Sequence, residues 1–250
     1  AKEGMHPFCC IYSSFLQRGY DEIIHDIAIQ HLNVSFCIDR GGIVGEDGVT
    51  HHGMFDLAYL RCIPGLTVSA PMNDHELRNL MFTSQLEGKG PFAIRYPRGR
   101  GALVEWKNEM HEIEVGKGRL LTPGDDIALL SIGHIGNSVA KAVKSLEGQG
   151  IHAAHYNMIF LKPIDEGILQ EVATKYEHIV TVEDGTVMGG LGSAVADWMC
   201  EHGHHVEITK IGIPDKFVDQ GTVAELHKLC GMDSDSIAAR VVELIKDGKK

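Results

Sequence analysis

Residues 7–38 have the sequence PFCCIYSSFLQRGYDEIIHDIAIQHLNVSFCI, and the order of patterns in this stretch decides the fold class. Short apolar runs at 7–12 and 34–38 predict strands. The segment between them predicts an amphipathic helix, because its apolar residues recur at intervals of three or four: Leu16, Tyr20, Ile23, Ile24 and Ile27. Strand, helix and strand in this order indicate parallel strands joined by a crossing helix.

The same alternation continues on the C-terminal side of this stretch. Apolar runs predict strands at 66–70 and 92–96, and a helix over 73–87 is predicted to begin at Asn73 or Asp74, which are both good N-cap residues. The strands are apolar throughout, which is typical of a parallel sheet covered by helices on both faces. We therefore predict an α/β fold.

A second alternating unit follows residue 117. Four more strands are predicted, at 126–132, 152–158, 178–184 and 206–213. The predicted helices of this unit are 137–150, a helix opened by Pro163 and Asp165, 190–203, and a last helix from Ser234 or Asp235 to Ile245, after which the end of the chain is expected to fray. Because residues 97–117 show no clean period, we predict two domains, 1–100 and 118–250, each with its own sheet and joined by a linker at 101–117.

Composition limits the classes of function that are open to these 250 residues. The formal net charge is −11, which argues against a nucleic acid partner, since such binding needs a basic surface. No run of about 18 apolar residues predicts a membrane span, and the first residues lack a signal-peptide pattern, so we predict a cytoplasmic protein. The six cysteines have no metal-ligand spacing and are interpreted as reduced core residues.

A polar loop with the sequence IDRGGIVGEDGVTHHGMFD, residues 38–56, leaves the carboxyl end of the strand at 34–38. In open parallel sheets, ligands bind beyond the carboxyl ends of the strands. The glycines allow tight turns and close approach to a ligand, while Arg40, Asp47 and His51 supply a cation, an acceptor and a titratable ring. These residues alone leave two interpretations open, a ligand-binding loop and a surface loop rich in turn residues.

Several motifs in register resemble one family. YSSFLQRGYDEIIHD, the polar loop, CIPGLTVSAPMNDHEL, RYPRG, LKPIDEGIL, VTVEDGTVMGGLGSAV and IGIPDKFVDQGT are together similar to 1-deoxy-D-xylulose-5-phosphate synthases, which are transketolase-related thiamine diphosphate enzymes. The resemblance covers nearly the whole chain. It implies a pyrimidine-binding domain, truncated at its N-terminus, followed by a transketolase C-terminal domain. It also implies a homodimer that condenses pyruvate with glyceraldehyde 3-phosphate, with loss of CO2, to make a precursor of isoprenoids and thiamine.

The resemblance also implies roles for seven residues. The implied assignments are cofactor contacts for Phe15 and Arg18, phosphate binding for Tyr12, Arg40 and Arg98, and catalysis for Asp47 and His51. Arginine suits a phosphate dianion because its planar guanidinium binds two oxygens at once. Imidazole exchanges protons near neutral pH. From spacing alone, a core Phe15 and a solvated Arg18 remain alternatives.

Two elements of the family pattern are missing from these residues. Thiamine diphosphate enzymes of this class use a Gly-Asp-Gly motif for magnesium and the diphosphate, and a glutamate that activates the aminopyrimidine ring, and neither is found in the sequence. We therefore expect a C-terminal fragment whose cofactor is thiamine diphosphate with Mg²⁺, with the diphosphate and Mg²⁺ ligands outside this chain, and which is inactive alone. The alternatives are an E1 beta-like subunit of a 2-oxoacid dehydrogenase and a non-catalytic dimerising paralogue.

Two further motifs are interpreted as structural. HGHH at 202–205 follows a predicted helix end and lacks a third spaced ligand, so it indicates a polar turn and not a zinc site. The glycine run VMGGLGSAV opens a predicted helix, but a lone glycine run is weak evidence for a phosphate loop. No metal ligands are predicted, and His52 is given no role in the site.

Overall fold

The computed structural model describes residues 1–102 and 108–247. Residues 103–107 of the expected linker and residues 248–250 of the expected frayed end lie outside the described part. The predicted α/β architecture is confirmed, with two mixed sheets flanked by helices. None of the described helices is long and apolar enough to cross a membrane.

The first sheet has five strands. In spatial order they are β1 Phe8–Tyr12, β2 Ser35–Asp39, β4 Phe92–Arg95, β3 Thr67–Ser69 and β8 Phe160–Lys162. The first four are parallel, whereas β8 comes from the second half of the chain and pairs antiparallel with β3. The halves of the chain therefore share a sheet edge, which the sequence pattern does not reveal because β8 has only three residues.

Strand β1 is the edge of this sheet, and its position corrects one prediction. Cys9 is half-buried and Cys10 is exposed, while Cys37 on the neighbouring β2 is buried. Because an edge strand has a neighbouring strand on one side only, its side chains are less covered than those of an inner strand, and its apolar run does not become a core run as expected. All six cysteines are free thiols, as the sequence indicates, but Cys62 and Cys200 are exposed and so are not core residues either.

Helices cover the first sheet and correct a second expectation. Instead of one regular helix after β1, the chain runs through short turns of three helical types. Their bounds are α1 Ser13–Leu16, a 3-10 turn Gln17–Gly19, α2 Tyr20–Glu22 and a π-helical turn Ile23–Ala28. The two other helices of this half are α3 Asp56–Arg61 and α4 Asp74–Ser84. Asn73 caps α4, since its side chain accepts a hydrogen bond from the Glu76 amide at 2.9 Å.

The second sheet also has five strands. In spatial order they are β10 Glu207–Ile213, β9 His178–Thr186, β6 Ile127–Ile132, β7 Ala153–Asn157 and β5 Arg119–Thr122. All pairs are parallel except β5 with β7. The strand β5 was not predicted, because most of it is exposed and it lacks an apolar run.

The helices of the second half lie where the sequence predicts them, with two additions. Their bounds are a 3-10 turn Gly133–Ile135, α5 Gly136–Glu147, α6 Glu166–Lys175, α7 Leu191–Glu201, α8 Val223–Leu229 and α9 Ser234–Asp247. The short α8 and the 3-10 turn were not predicted. One cluster of buried residues runs from Leu16 and Phe36 in the first half to Leu130 and Trp198 in the second, so the two sheets pack on a shared core.

Candidate functional site

The polar loop between β2 and α3 is closed by its own backbone. The Gly42 amide donates to the Gly53 carbonyl at 2.7 Å, and the Gly53 amide donates to the Gly42 carbonyl at 2.8 Å. The Gly41 amide reaches across to the Tyr96 carbonyl at 2.9 Å, after the end of β4. These bonds hold the loop as a compact platform at the carboxyl ends of the parallel strands, where ligands of such sheets bind.

Two glycines let this loop lie directly on buried charges. A Cβ at Gly41 would lie 2.3 Å from Arg95 Nε. At Gly42, where φ is +82°, a Cβ would lie 2.1 Å from Asp184 Oδ2. Neither position has room for a side chain, so the glycines are explained by close packing as well as by turn geometry.

The charge beneath Gly41 belongs to a buried ion pair. Arg95 is 1% exposed and Asp56 is 0% exposed, and Arg95 Nε lies 3.0 Å from Asp56 Oδ2. The second Arg95 nitrogen, Nη2, donates to the carbonyls of Gly53 and Asp184. A buried charge is stable only when its donors are satisfied, so this pair requires the loop and α3 to keep their positions.

Ring contacts bring four of the predicted site residues together. Tyr12 and Phe15 stack with ring centroids 5.1 Å apart, and the His51 and Phe15 rings form a T-shaped contact with centroids 5.7 Å apart. The Arg40 guanidinium carbon lies 3.7 Å above the centre of the Tyr12 ring, which is a cation–π contact. Phe15 nevertheless remains 51% exposed, so its ring is open to a ligand.

Arg40 is held in an unusual backbone conformation. Its φ is +58°, in the left-handed region that favours glycine. Its Nη1 donates to Asp39 Oδ2 at 2.8 Å, while its Nε is buried and has no hydrogen-bond partner among the described residues. A strained residue with an unsatisfied buried donor is typical of a functional site.

Arg98 follows the end of β4 and is held more loosely. Its Nη1 donates to Asp47 Oδ2 at 3.2 Å, and both side chains are partly exposed. This bond uses one of the five N–H donors of the guanidinium. Arg98 can therefore keep Asp47 and still bind an anion.

Arg40 and Arg98 both line a cavity of about 780 Å³ between the two halves of the chain. The second half contributes the N-terminal turns of α5 and part of α8, including Lys141, His134 and His227. Arg100 adds a further positive charge, opposed by Asp39 and Asp74. The balance of charge favours an anionic ligand.

The structure connects six of the seven predicted residues by direct contacts. Arg40, Tyr12, Phe15 and His51 form one chain of contacts, and Asp47 and Arg98 form a pair. Arg18 is exposed, and no hydrogen bond, ion pair or ring contact among the described residues links it to the others. Of the seven, only Arg40 and Arg98 line the cavity. The roles of all seven remain predictions.

A third group of polar residues was missed by the sequence analysis. His134 Nε2 lies 3.1 Å and His227 Nε2 lies 3.2 Å from the same oxygen, Oδ2 of Asp184, which is fully buried. The Ile43 amide donates to both oxygens of this carboxylate, at 3.1 Å and 3.2 Å. Burial opposes ionisation of Asp184, but the bonds from the two histidines outweigh it and lower its pKa. Burial likewise opposes the charge on His227, yet its bond to Asp184 leaves the pKa of His227 raised.

His52 and the HGHH motif, which were given no role in the site, make structural contacts. The His52 ring is buried. Its Nδ1 accepts a hydrogen bond from the Val44 amide, and its Nε2 lies 3.3 Å from the Asp219 carbonyl, so the ring joins the loop to residues far along the chain. In HGHH, the rings of His202 and His204 stack on Trp198 at 4.1 Å and 5.5 Å.

The amides of the glycine run before α7 already bind a carboxylate of the chain itself. The buried carboxylate of Glu183 accepts hydrogen bonds from the Leu191 and Gly192 amides, at 2.8 Å and 2.9 Å. Burial raises the pKa of Glu183, and the two backbone bonds lower it in part. The chain itself thus supplies the anion at this helix N-terminus.

Comparison with known protein families identifies both halves of the chain. Residues 1–102 match the family "Transketolase, pyrimidine binding domain", and residues 116–237 match the family "Transketolase, C-terminal domain". The unmatched residues between them fall within the expected linker.

Curated relatives share one description. The chain is 58% identical over 254 residues to 1-deoxy-D-xylulose-5-phosphate synthase of Bacteroides thetaiotaomicron, covering 100% of this chain and 39% of the relative. It is also 58% identical over 238 residues to the synthase of Bacteroides fragilis, covering 95% of this chain and 37% of the relative. The chain therefore spans little more than a third of the length of these relatives.

A solved structure has the same fold over almost all of the chain. It is described as a split gene transketolase, inactive beta4 tetramer, and it superposes with a TM-score of 0.87 at 29% identity. The match covers 98% of this chain and 78% of that chain. A similar pair of domains thus exists as a separate polypeptide in that protein.

Proposed function

The chain belongs to the transketolase family, where it corresponds to part of the 1-deoxy-D-xylulose-5-phosphate synthases, and we propose that it provides their substrate-binding region. The reaction is the condensation of pyruvate with glyceraldehyde 3-phosphate, with loss of CO2. In this proposal residues 1–100 form the pyrimidine-binding domain, residues 101–117 the linker and residues 118–250 the C-terminal domain. The family matches at 1–102 and 116–237 support this division.

The observation that carries the substrate assignment is the pair of arginines on one cavity. Arg40 and Arg98 both line it, and Arg40 is held there in a strained backbone conformation against the Tyr12 ring. A phosphate dianion binds such a pair by charge-assisted hydrogen bonds. The unsatisfied Arg40 Nε is a donor that an acceptor oxygen would satisfy. We propose that these groups and Tyr12 hold the phosphate of glyceraldehyde 3-phosphate.

The aromatic group fits the pyrimidine part of thiamine diphosphate. Phe15 stacks on Tyr12 on one side and is 51% exposed, so it can offer a flat apolar face to a ring. When bound, the cofactor supplies the nucleophilic carbon that attacks the carbonyl of pyruvate. Arg18, on the exposed turn after Phe15, is proposed to contact the same ring. The diphosphate and Mg²⁺ ligands are assigned outside this chain, because the sequence has no Gly-Asp-Gly motif.

Asp47 and His51 are proposed as the catalytic pair. The His51 and Phe15 rings are in T-shaped contact at 5.7 Å, and His51 Nδ1 lies 2.9 Å from Thr50 Oγ1, so we propose that the imidazole exchanges a proton with the substrate beside the cofactor face. Asp47 is bound to Arg98 and can accept a hydrogen bond from a substrate hydroxyl. The Arg98–Asp47 contact thus joins a residue proposed to bind the phosphate to one proposed to contact the reacting part of the substrate.

A chimera tests the proposal. The part of the Bacteroides thetaiotaomicron synthase that this chain does not match is joined to the N-terminus of this chain, and formation of 1-deoxy-D-xylulose 5-phosphate is measured. Arg98→Ala removes a charged hydrogen bond worth about 1.5 to 3 kcal/mol, so we expect KM for glyceraldehyde 3-phosphate to rise roughly 10 to 100-fold. We expect KM for pyruvate to change far less.

The neighbouring Arg100 provides a control of equal charge, since it lines the same cavity from an exposed position. Arg100→Ala lowers the positive potential of the cavity to a similar extent without removing Arg98. Equal effects of the two variants on KM would contradict a specific phosphate contact at Arg98. A chimera that folds but forms no product from pyruvate and glyceraldehyde 3-phosphate together would contradict the proposed reaction.

A second candidate is favoured by the split gene transketolase. That solved protein is a separate chain described as inactive. This chain could in the same way act as one subunit of a two-chain enzyme, and the E1 beta-like alternative has that organisation too. Copurification with a chain that carries a Gly-Asp-Gly motif would favour the two-chain form. In either form we propose a cytoplasmic homodimer of the catalytic unit.

For the chain alone we propose weak cofactor binding and no turnover. Stacking on Phe15 contributes only about 0.5 to 1.5 kcal/mol beyond area burial, which is too little to hold a solvated cofactor. Calorimetry with thiamine diphosphate and Mg²⁺ is expected to show tight binding to the chimera and only weak binding to the 250 residues. Micromolar binding by the 250 residues would show that they hold the diphosphate themselves.

A further inference from the structure

His134, Asp184 and His227 converge on one point at the floor of the cavity. Their ligand atoms, two imidazole nitrogens and one carboxylate oxygen, all lie within 4.8 Å of one another. We propose that these three residues bind a divalent transition-metal ion. This inference does not depend on the proposed function, and none of the three residues has been assigned a role there.

The distances suit such an ion. With metal–ligand bonds of about 2.0 to 2.1 Å, the ligand atoms of a tetrahedral site lie about 3.3 Å apart. The two histidine nitrogens lie 3.1 Å and 3.2 Å from Asp184 Oδ2. Small movements of the three side chains would therefore open space for the ion. Two imidazoles and one carboxylate are a common ligand set for zinc and ferrous iron.

The carboxylate is held in place before any ion binds. The Ile43 amide donates to both of its oxygens, and the carboxylate occupies the space that a side chain at Gly42 would need. Hydrogen bonds of this kind orient metal ligands and raise affinity. In an ordinary buried ion pair, two donors could bind different oxygens of the carboxylate. Here both histidine nitrogens lie next to the same oxygen, Oδ2 of Asp184, as the ligands of one ion would.

The cavity gives the ion a path and an open coordination position. The side chains of His134 and His227 are 23% and 12% exposed and line the cavity, while Asp184 lies behind them. An ion bound by all three residues would face the cavity with its fourth position. Lys141 and Arg100 line the same cavity, so an anion or water from the cavity is the expected fourth ligand.

Zinc titration tests the site in a chain from which two histidines of the HGHH turn have been removed. His204 and His205 belong to the HGHH turn and are replaced by Gln in the background chain. His134→Gln and His227→Gln then remove one imidazole each, while the Gln amide still offers an N–H to Asp184. We expect one equivalent of zinc to bind to the background chain and each variant to bind at least about 10-fold more weakly.

His178→Gln is the matched control. Its Nδ1 lies 3.2 Å from Glu207 Oε2, so it is also an imidazole beside a carboxylate, but it lies at the start of β9 and Asp184 near its end. Its loss should leave zinc affinity unchanged. No zinc binding by the background chain would overturn the proposal, and so would equal affinity in the chain with and without His134 and His227.

X-ray absorption at the zinc edge covers the case in which the variants do not fold. In the zinc-loaded background chain it counts imidazole ligands and separates nitrogen or oxygen from sulfur. Two imidazoles with oxygen ligands support the site. Sulfur ligands from the six free cysteines, or any other number of imidazoles, overturn it.

Discussion

Replacing Gly42 by Ala tests the packing that holds the polar loop. At φ +82° an alanine costs about 1 to 2 kcal/mol through backbone strain alone. Its Cβ would also lie 2.1 Å from Oδ2 and 2.3 Å from Cγ of Asp184, so the loop and the carboxylate must separate by about an ångström. That movement breaks at least one of the bonds that Asp184 accepts from Ile43, His134 and His227.

A hydrogen bond to a charged group contributes about 1.5 to 3 kcal/mol, so the total loss expected in Gly42→Ala is about 2.5 to 5 kcal/mol. Gly88→Ala separates the two contributions. Gly88 has φ +79°, and a Cβ there would meet no atom within 4 Å. This control should lose only the strain, about 1 to 2 kcal/mol.

Urea unfolding at neutral pH, followed by circular dichroism and fluorescence, measures both variants. Coincident transitions and unchanged m values are needed before free energies of unfolding are compared. The expected excess loss in Gly42→Ala over Gly88→Ala is about 1.5 to 3 kcal/mol. Equal losses in the two variants would refute the close contact between Gly42 and Asp184.

Two further predictions concern other buried ionisable groups. Asp56→Ala leaves the Arg95 guanidinium buried with only carbonyl acceptors. The free energy of unfolding in urea should therefore fall by about 3 to 5 kcal/mol. A loss below about 1 kcal/mol would contradict a dry ion pair. Burial lowers the pKa of His155 from 6.5 to about 4, so between these values the unfolded state binds a proton that the folded state does not. The free energy of unfolding should therefore fall by about 3 kcal/mol as pH drops from 6.5 to about 4. His155→Gln should remove this part of the dependence of stability on pH. An unchanged dependence in the variant would show that other groups cause it.

The sequence predicts the fold because the central strands are apolar along their whole length. The strand β2 is buried at four of its five positions, and its run VSFCI has no helical alternative of useful length. The elements that were missed are short or exposed, such as β5 and β8. Such elements depend on neighbours in space, and a local pattern contains no information about them.

The candidate site likewise contains residues that the sequence pattern indicates and residues that it does not. The place of the glycine-rich loop after β2 makes it a candidate ligand loop but leaves a surface loop open, and family resemblance supplies the roles expected of Arg40 and Arg98. The residues beneath the loop give no local signal. Arg95 pairs with Asp56 across 39 positions, and Asp184 meets His227 across 43 positions, so their contacts exist only after folding.

The position of Arg40 depends on both halves of the chain. Its left-handed backbone is followed at once by Gly41, which lies on Arg95 of the first sheet, and Gly42, which lies on Asp184 of the second. Strain of about 1 to 2 kcal/mol at Arg40 persists only if such contacts outweigh it. The second domain thus stabilises the conformation of a proposed phosphate-binding residue that belongs to the first. Substitutions at Asp184 should therefore change the affinity for the phosphorylated substrate without contacting it, and the relative position of the two domains is part of the candidate site.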